Sequence, residues 1–232
     1  MKQFNLRVGL GIILCGLLSG SLLANPATAA LVTFAFTGVV TNVKPSLNPP
    51  FTTSTLLTGS YTFNSLTPDF KPLNLNRGLY YGAITALDVH LGSYTATMGD
   101  SGTNFIEIRN QSVDRYTVQA PLTGPPVLTG SPVHEYSPLR FRIELTDPSG
   151  GMVLDDKLHA TPPSISSLAQ DNRVWRVVFE DSGGIARIQG YLTSLTASAV
   201  PLPAAVILFG AGLVALVGLG AGSWRQRKNS IA

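Results

Sequence analysis

Cysteine is nearly absent: the 232 residues contain one, Cys15, inside an apolar run near the N-terminus. Everything beyond that run is therefore without disulfides, thiol nucleophiles or Cys-ligated metals. Histidine is also scarce. His90, His134 and His159 lie in separate segments with no i,i+2 or i,i+4 partner, so no local zinc motif exists. Charge is thin as well, at 12% of residues, and its net of +3 is unevenly placed. All 13 acidic residues fall between Asp69 and Asp181, while 11 basic ones fall between Lys44 and Arg187, a net of −2 (11 − 13) for the middle of the chain. The remaining five, Lys2, Arg7, Arg225, Arg227 and Lys228, flank uncharged runs at the two ends. The positive excess reads as a topology signal rather than a binding face, and nucleic acid is not an expected partner.

The first 30 residues have the parts of a secretory signal peptide. Lys2 and Arg7 are followed by an uncharged stretch from Val8 to Leu23 and then by Ala27-Thr28-Ala29-Ala30. The small-x-small pattern places cleavage after Ala29 or Ala30, with Ala27 as the upstream small residue. Removing this segment also removes Cys15.

At the other end, Val200-Pro201-Leu202-Pro203-Ala204 opens a nineteen-residue uncharged run, Ala204 to Gly222. At about 1.5 Å per residue such a helix spans roughly 28 Å, the thickness of a hydrocarbon core. Trp224 suits the interface, and Arg225, Arg227 and Lys228 should stay cytoplasmic. The prolines mark the helix start and keep the preceding backbone extended, a form suited to a processing enzyme.

This order of motif, Gly-rich apolar helix and basic cluster resembles the PEP-CTERM sorting signal, most closely its VPLPA-type variant. Leu202 stands where the name-giving motif has Glu. The resemblance covers residues 200–232 together with the N-terminal signal. It implies a Gram-negative exporter, transient anchoring in the inner membrane and recognition by an exosortase-type membrane enzyme. It further implies a cell-surface or extracellular destination, with exopolysaccharide as a candidate partner.

Between the ends, residues 31–199 alternate apolar and polar side chains between Gly, Pro, Asn and Ser punctuation. Leu139 to Thr146 alternates strictly, and Arg173 to Glu180 places Trp175, Val177 and Phe179 on one face. Similar faces are formed by Val32, Phe34 and Phe36, by Leu57, Tyr61 and Phe63, and by Leu87, Val89 and Leu91. No stretch before Pro203 shows a sustained helical stripe. These patterns predict an all-β domain, an antiparallel β-sandwich of jelly-roll type. Residues 120–138 and 147–163 read as long loops.

Candidate chemistry in this domain is sparse. Gly99-Asp100-Ser101-Gly102 and Asp181-Ser182-Gly183-Gly184 imitate a serine nucleophile loop, yet both compositions also suit tight turns. A hydrolase is the weakest reading, and the domain is expected to be non-catalytic. No Asp-x-Asp-x-Asp-Gly loop is present; Asp155 and Asp156 with Asp147, or with Asp181, are the candidates for Ca²⁺, and no cofactor is expected. Trp175, Tyr80 and Tyr81 are candidate stacking faces, with Arg140 and Arg142 as candidate hydrogen-bonding partners, in an alternative reading, a carbohydrate-binding module for exopolysaccharide.

Overall fold

The computed structural model describes residues 31–130 and 133–198. They form eleven strands: β1 (Leu31–Val43), β2 (Leu56–Asn64), β3 (Arg77–Tyr81), β4 (Ile84–Leu91), β5 (Tyr94–Met98), β6 (Phe105–Arg109), β7 (Asp114–Thr123), β8 (Val127–Thr129), β9 (His134–Asp147), β10 (Arg173–Asp181) and β11 (Gly184–Ser198). Two short 3-10 turns are the only helical elements among the described residues. The alternating segments become strands because each buries one face. Along β10, for example, Trp175, Val177 and Phe179 are all fully buried, and in β9 Phe141, Ile143 and Leu145 are too.

All-β architecture agrees with the sequence, but the sandwich does not. Hydrogen bonding runs β7-β5-β4-β2-β1-β11-β10-β9 and returns to β7 through the β7–β9 pairing, closing an eight-stranded antiparallel barrel. The closing ladder is long, from Asp114↔Asp147 to Pro121↔Arg140. The opposite junction is short, with Thr97↔Thr123 and Met98↔Leu122 alone joining β5 to β7. Closure satisfies strand edges that two separate sheets would leave open. Register shifts at Thr37/Gly38 and Val40/Asn42 in β1, and at Val178/Phe179 in β10, bend the strands as closure requires. Outside the ring, β6 continues the sheet from β7 and β3 continues it from β6.

The barrel interior is filled by rings. Phe36 stacks on Phe141 at 5.1 Å, Phe34 meets Phe63 edge-on at 5.2 Å, and Phe51 lies 5.9 Å from Phe179. Glycines make room for them. A Cβ on Gly190 would strike the Val39 carbonyl and lie 3.0 Å from the Trp175 ring, and one on Gly38 would lie 2.7 Å from Trp175 Nε1. Large rings opposite missing side chains fill a narrow barrel without voids.

The two expected loops fare differently. Residues 120–138 are largely taken up by the end of β7, by β8 and by the start of β9, where Val127↔Tyr136 and Thr129↔His134 pair. The second is a long connection between β9 and β10. The expected membrane helix 204–222 lies outside the described residues. Among the described residues no helix is long and apolar enough to cross a membrane.

Candidate functional site at the barrel mouth

One end of the barrel opens into a cavity of about 400 Å³. Its walls come from the strands: Phe34, Phe63, Ile108 and Tyr116. Its cover comes from the β9–β10 connection, which contributes Met152, Val153 and Leu158, with Asp155, Lys157 and His159 among its polar lining. The wall residue Tyr116 pairs its hydroxyl with that of Tyr61 at 3.0 Å in a fully buried setting. Burial pushes both phenols well above their ordinary value of 10.0, so they remain neutral hydrogen-bonding groups.

The cover is tied down by a residue that sequence reasoning did not single out. Asp114, at the start of β7, is fully buried. Its Oδ2 accepts the amides of Gly151 (2.7 Å) and Val153 (3.1 Å), and its Oδ1 accepts that of Gln111 (3.1 Å). Three backbone donors thereby satisfy one buried carboxylate. Gly150 and the held Gly151 have φ of 71° and 101°, a left-handed turn that side chains disfavour. Two further ties help: the Tyr80 hydroxyl donates to the Asp156 carbonyl at 2.7 Å, and Asn110 Nδ2 donates to the Leu154 carbonyl at 2.9 Å. The only sequence signal for Asp114 was its place after the turn Asn110-Gln111-Ser112, which marks a loop and not a tether.

The candidate calcium ligands do not converge. Asp147 accepts the amide (2.9 Å) and hydroxyl (2.6 Å) of Ser149, and these bonds hold its carboxyl below the ordinary 3.8. Asp155 accepts the Lys157 amide at 2.9 Å and pairs with His159 Nε2 at 2.6 Å. Burial pushes the Asp155 carboxyl up, but these partners outweigh it and leave it below 3.8. Asp156 contributes its carbonyl, to Tyr80. Among the described residues no three His, Cys, Asp or Glu side chains gather around a point that could hold a metal ion.

Of the candidate stacking residues, two point inward. Trp175 is fully buried, its Nε1 donating to the Tyr191 carbonyl at 3.2 Å, and it offers no face to a glycan. Tyr80 is 6% exposed, and burial together with Asp69, Asp156 and Asp155 pushes its phenol up to about 12. The physical reason is strand parity: the alternation that makes a strand legible leaves open which face is the interior. Tyr81, one residue on, is 45% exposed and stands edge-on to Phe70 at 5.2 Å.

The serine loops are turns. Ser101 lies in the β5–β6 connection. Ser182 lies in the β10–β11 turn, where Asp181 Oδ1 accepts the Gly183 amide at 2.8 Å. Asp181 Oδ2 does meet His134 Nδ1 at 3.2 Å, and Ser182 lines the same shallow depression. Among the described residues, however, the Ser182 hydroxyl makes no hydrogen bond to that imidazole, the contact by which a base activates a serine. The sorting residues Val200, Pro201, Leu202, Pro203 and Ala204, the anchor residues Trp224, Arg225, Arg227 and Lys228, and the cleavage residues Ala27, Ala29 and Ala30 all lie outside the described residues.

A second buried acid sits on the outer surface of the sheet. Glu107 in β6 receives Arg77 Nε from β3 and Arg109 Nη2 from its own strand, the latter at 2.9 Å. Burial pushes its carboxyl up, but hydrogen bonds and charge from Arg109 and Arg77 prevail and hold it below the ordinary 4.5. Its stabilising contribution is therefore complete above that value and disappears as pH falls through the lowered one. Glu107→Gln is expected to cost about 1–2 kcal/mol at neutral pH, less than a fully buried pair because both arginines are partly solvated. Urea midpoints measured from pH 7 to pH 3 should show the variant and parent converging at the acid end.

The fold and this geometry define a class: a closed eight-stranded antiparallel barrel with a tethered loop over an apolar mouth. Comparison with family models, curated proteins and solved structures finds no match to the chain.

Proposed function

We propose that the protein is an exported, non-catalytic component of the cell surface or extracellular matrix of a Gram-negative bacterium. In this reading it is held briefly in the inner membrane and processed by an exosortase-type enzyme. The observation that carries it is the order of the C-terminal sequence: the motif Val200 to Ala204, the apolar run 204–222 and the basic cluster Arg225 to Lys228. The barrel supports it in one respect. The described part of the barrel ends with β11 at Ser198, two residues before Val200, so the chain leaves the domain close to the motif a processing enzyme would read. The prolines of the motif would keep that segment extended, a form accessible to a processing enzyme.

Intact-mass measurement on the protein from its producing cells tests the reading. The expected mature chain begins at Ala30 or Leu31 and lacks the apolar run. Retention of residues 204–232 in the exported protein would show an ordinary anchor instead. Glycan binding is the second reading. The observation favouring it is the exposed pairing of Tyr81 with Phe70, a residue that is 68% exposed.

A further inference from the structure

Strand register assembles on the outer sheet surface a row that no local segment contains. Tyr81 in β3 faces Phe105 in β6, and Phe105 faces Gln119 in β7. Gln119 faces Arg142 in β9, Arg142 faces Arg176 in β10, and Arg176 faces Gln189 in β11. Six strands at about 4.8 Å spacing make this row roughly 24 Å long. Beside its cationic end, Val178 faces Arg140 on one neighbour and Arg187 on the other. The four arginines line a shallow groove of about 230 Å³ whose remaining lining is Val178 and Ile185.

These guanidinium groups are under-compensated. Glu144 meets Arg142 at 2.8 Å and Arg176 at 3.6 Å, and it is shared with Arg115 at 3.8 Å. Arg140 and Arg187 have no carboxylate partner among the described residues. Arg142 Nε is buried and without any partner. A domain that nets −2 thus gathers cations on one face, where like-charge repulsion is tolerated in place of neutralisation. Fixed, planar donors in such a cluster suit bidentate oxyanions.

We infer that this row is a binding track for a polysaccharide bearing oxyanions, carboxylate or sulfate. The guanidinium groups of β9, β10 and β11 would take the anions, and Tyr81 and Phe105 the apolar face of a sugar ring. The row's composition favours a glycan over single-stranded nucleic acid, whose tracks line aromatic rings along the charged backbone groove. Here both rings sit at one end and the cations at the other. The choice of a glycan also rests on the export reading above, while the anion site itself does not.

The test uses the full chain in non-ionic detergent with four immobilised polymers: polygalacturonate, dextran sulfate, neutral galactan and single-stranded DNA. Binding to polygalacturonate or dextran sulfate is expected at low salt and should be lost at high salt, and the tighter of the two identifies the anion. Arg140→Gln/Arg187→Gln, which breaks no ion pair, should weaken it about tenfold or more at unchanged thermal stability. Tyr81→Ala should weaken it several-fold. The inference is overturned by no binding at low salt, by equal binding to galactan, or by full binding in both variants. Tighter binding to DNA than to either acidic glycan also overturns it. Polymer binding by the purified chain does not depend on cellular processing, so a failure here and a failure of the sorting reading are separate results.

Discussion

Trp175→Ala is expected to destabilise the barrel by about 3–5 kcal/mol, the range for deleting a large buried aromatic side chain. The ring is the largest fully buried side chain among the described residues, and it is enclosed by positions 38 and 190, where glycine leaves the space it occupies. Neither glycine has a side chain that could repack into the void. The Tyr191 carbonyl also loses the indole N–H that it accepts at 3.2 Å. Trp175→Phe should cost less, about 1–3 kcal/mol, because it restores part of the volume. Denaturant midpoints at constant m-value check both figures. A loss below about 1 kcal/mol for the alanine variant would mean the interior is not packed as described.

The second large effect is expected at Asp114. Asp114→Ala removes the acceptor for three amides, those of Gln111, Gly151 and Val153, and should cost about 3–5 kcal/mol. Unlike the tryptophan variant, it should act locally first. The β9–β10 connection loses its anchor over the barrel mouth, so amide exchange at Gly151 and Val153 should accelerate before global unfolding. Asp114→Asn keeps one carbonyl acceptor and places an amide donor opposite a backbone N–H, and it should fall between parent and alanine. Exchange protection at Gly151 and Val153 that is unchanged in Asp114→Ala would show that the loop is held by Tyr80 and Asn110 instead.

These two residues also separate what could be read along the chain from what could not. Trp175 was legible as a member of an apolar face with Val177 and Phe179, because alternation has a period of two and every pair of positions reports it. Its assignment as a glycan contact failed, since alternation is symmetric and the inner face must be chosen by the strands on either side. Tyr80 and Tyr81 show the same symmetry in adjacent residues: one is nearly buried and the other half exposed. Asp114 left almost no local mark. Two of its partners lie 37 and 39 residues away, and that proximity exists only once β7 pairs with β9.

Charge divides in the same way between chain order and surface. The positive excess does sit at the ends of the chain, and the described domain does carry more acid than base. Yet Arg140, Arg142, Arg176 and Arg187, spread over three strands, share one groove. A sum over residues has no directions in it, whereas a field at a surface depends on them.

By itself the sequence determined that the middle of this chain is all-β, which residues alternate, and that residues 31–198 contain neither a thiol nor a disulfide. Those properties are local, set by composition and by periods of two residues. Only the tertiary structure decided that the strands close into a barrel and not a sandwich, that Trp175 faces inward, and that Asp114 holds the mouth loop. It also decided that four arginines from three strands share one outer groove. Each of these depends on which strand pairs with which and in what register, a choice settled by packing among residues far apart along the chain.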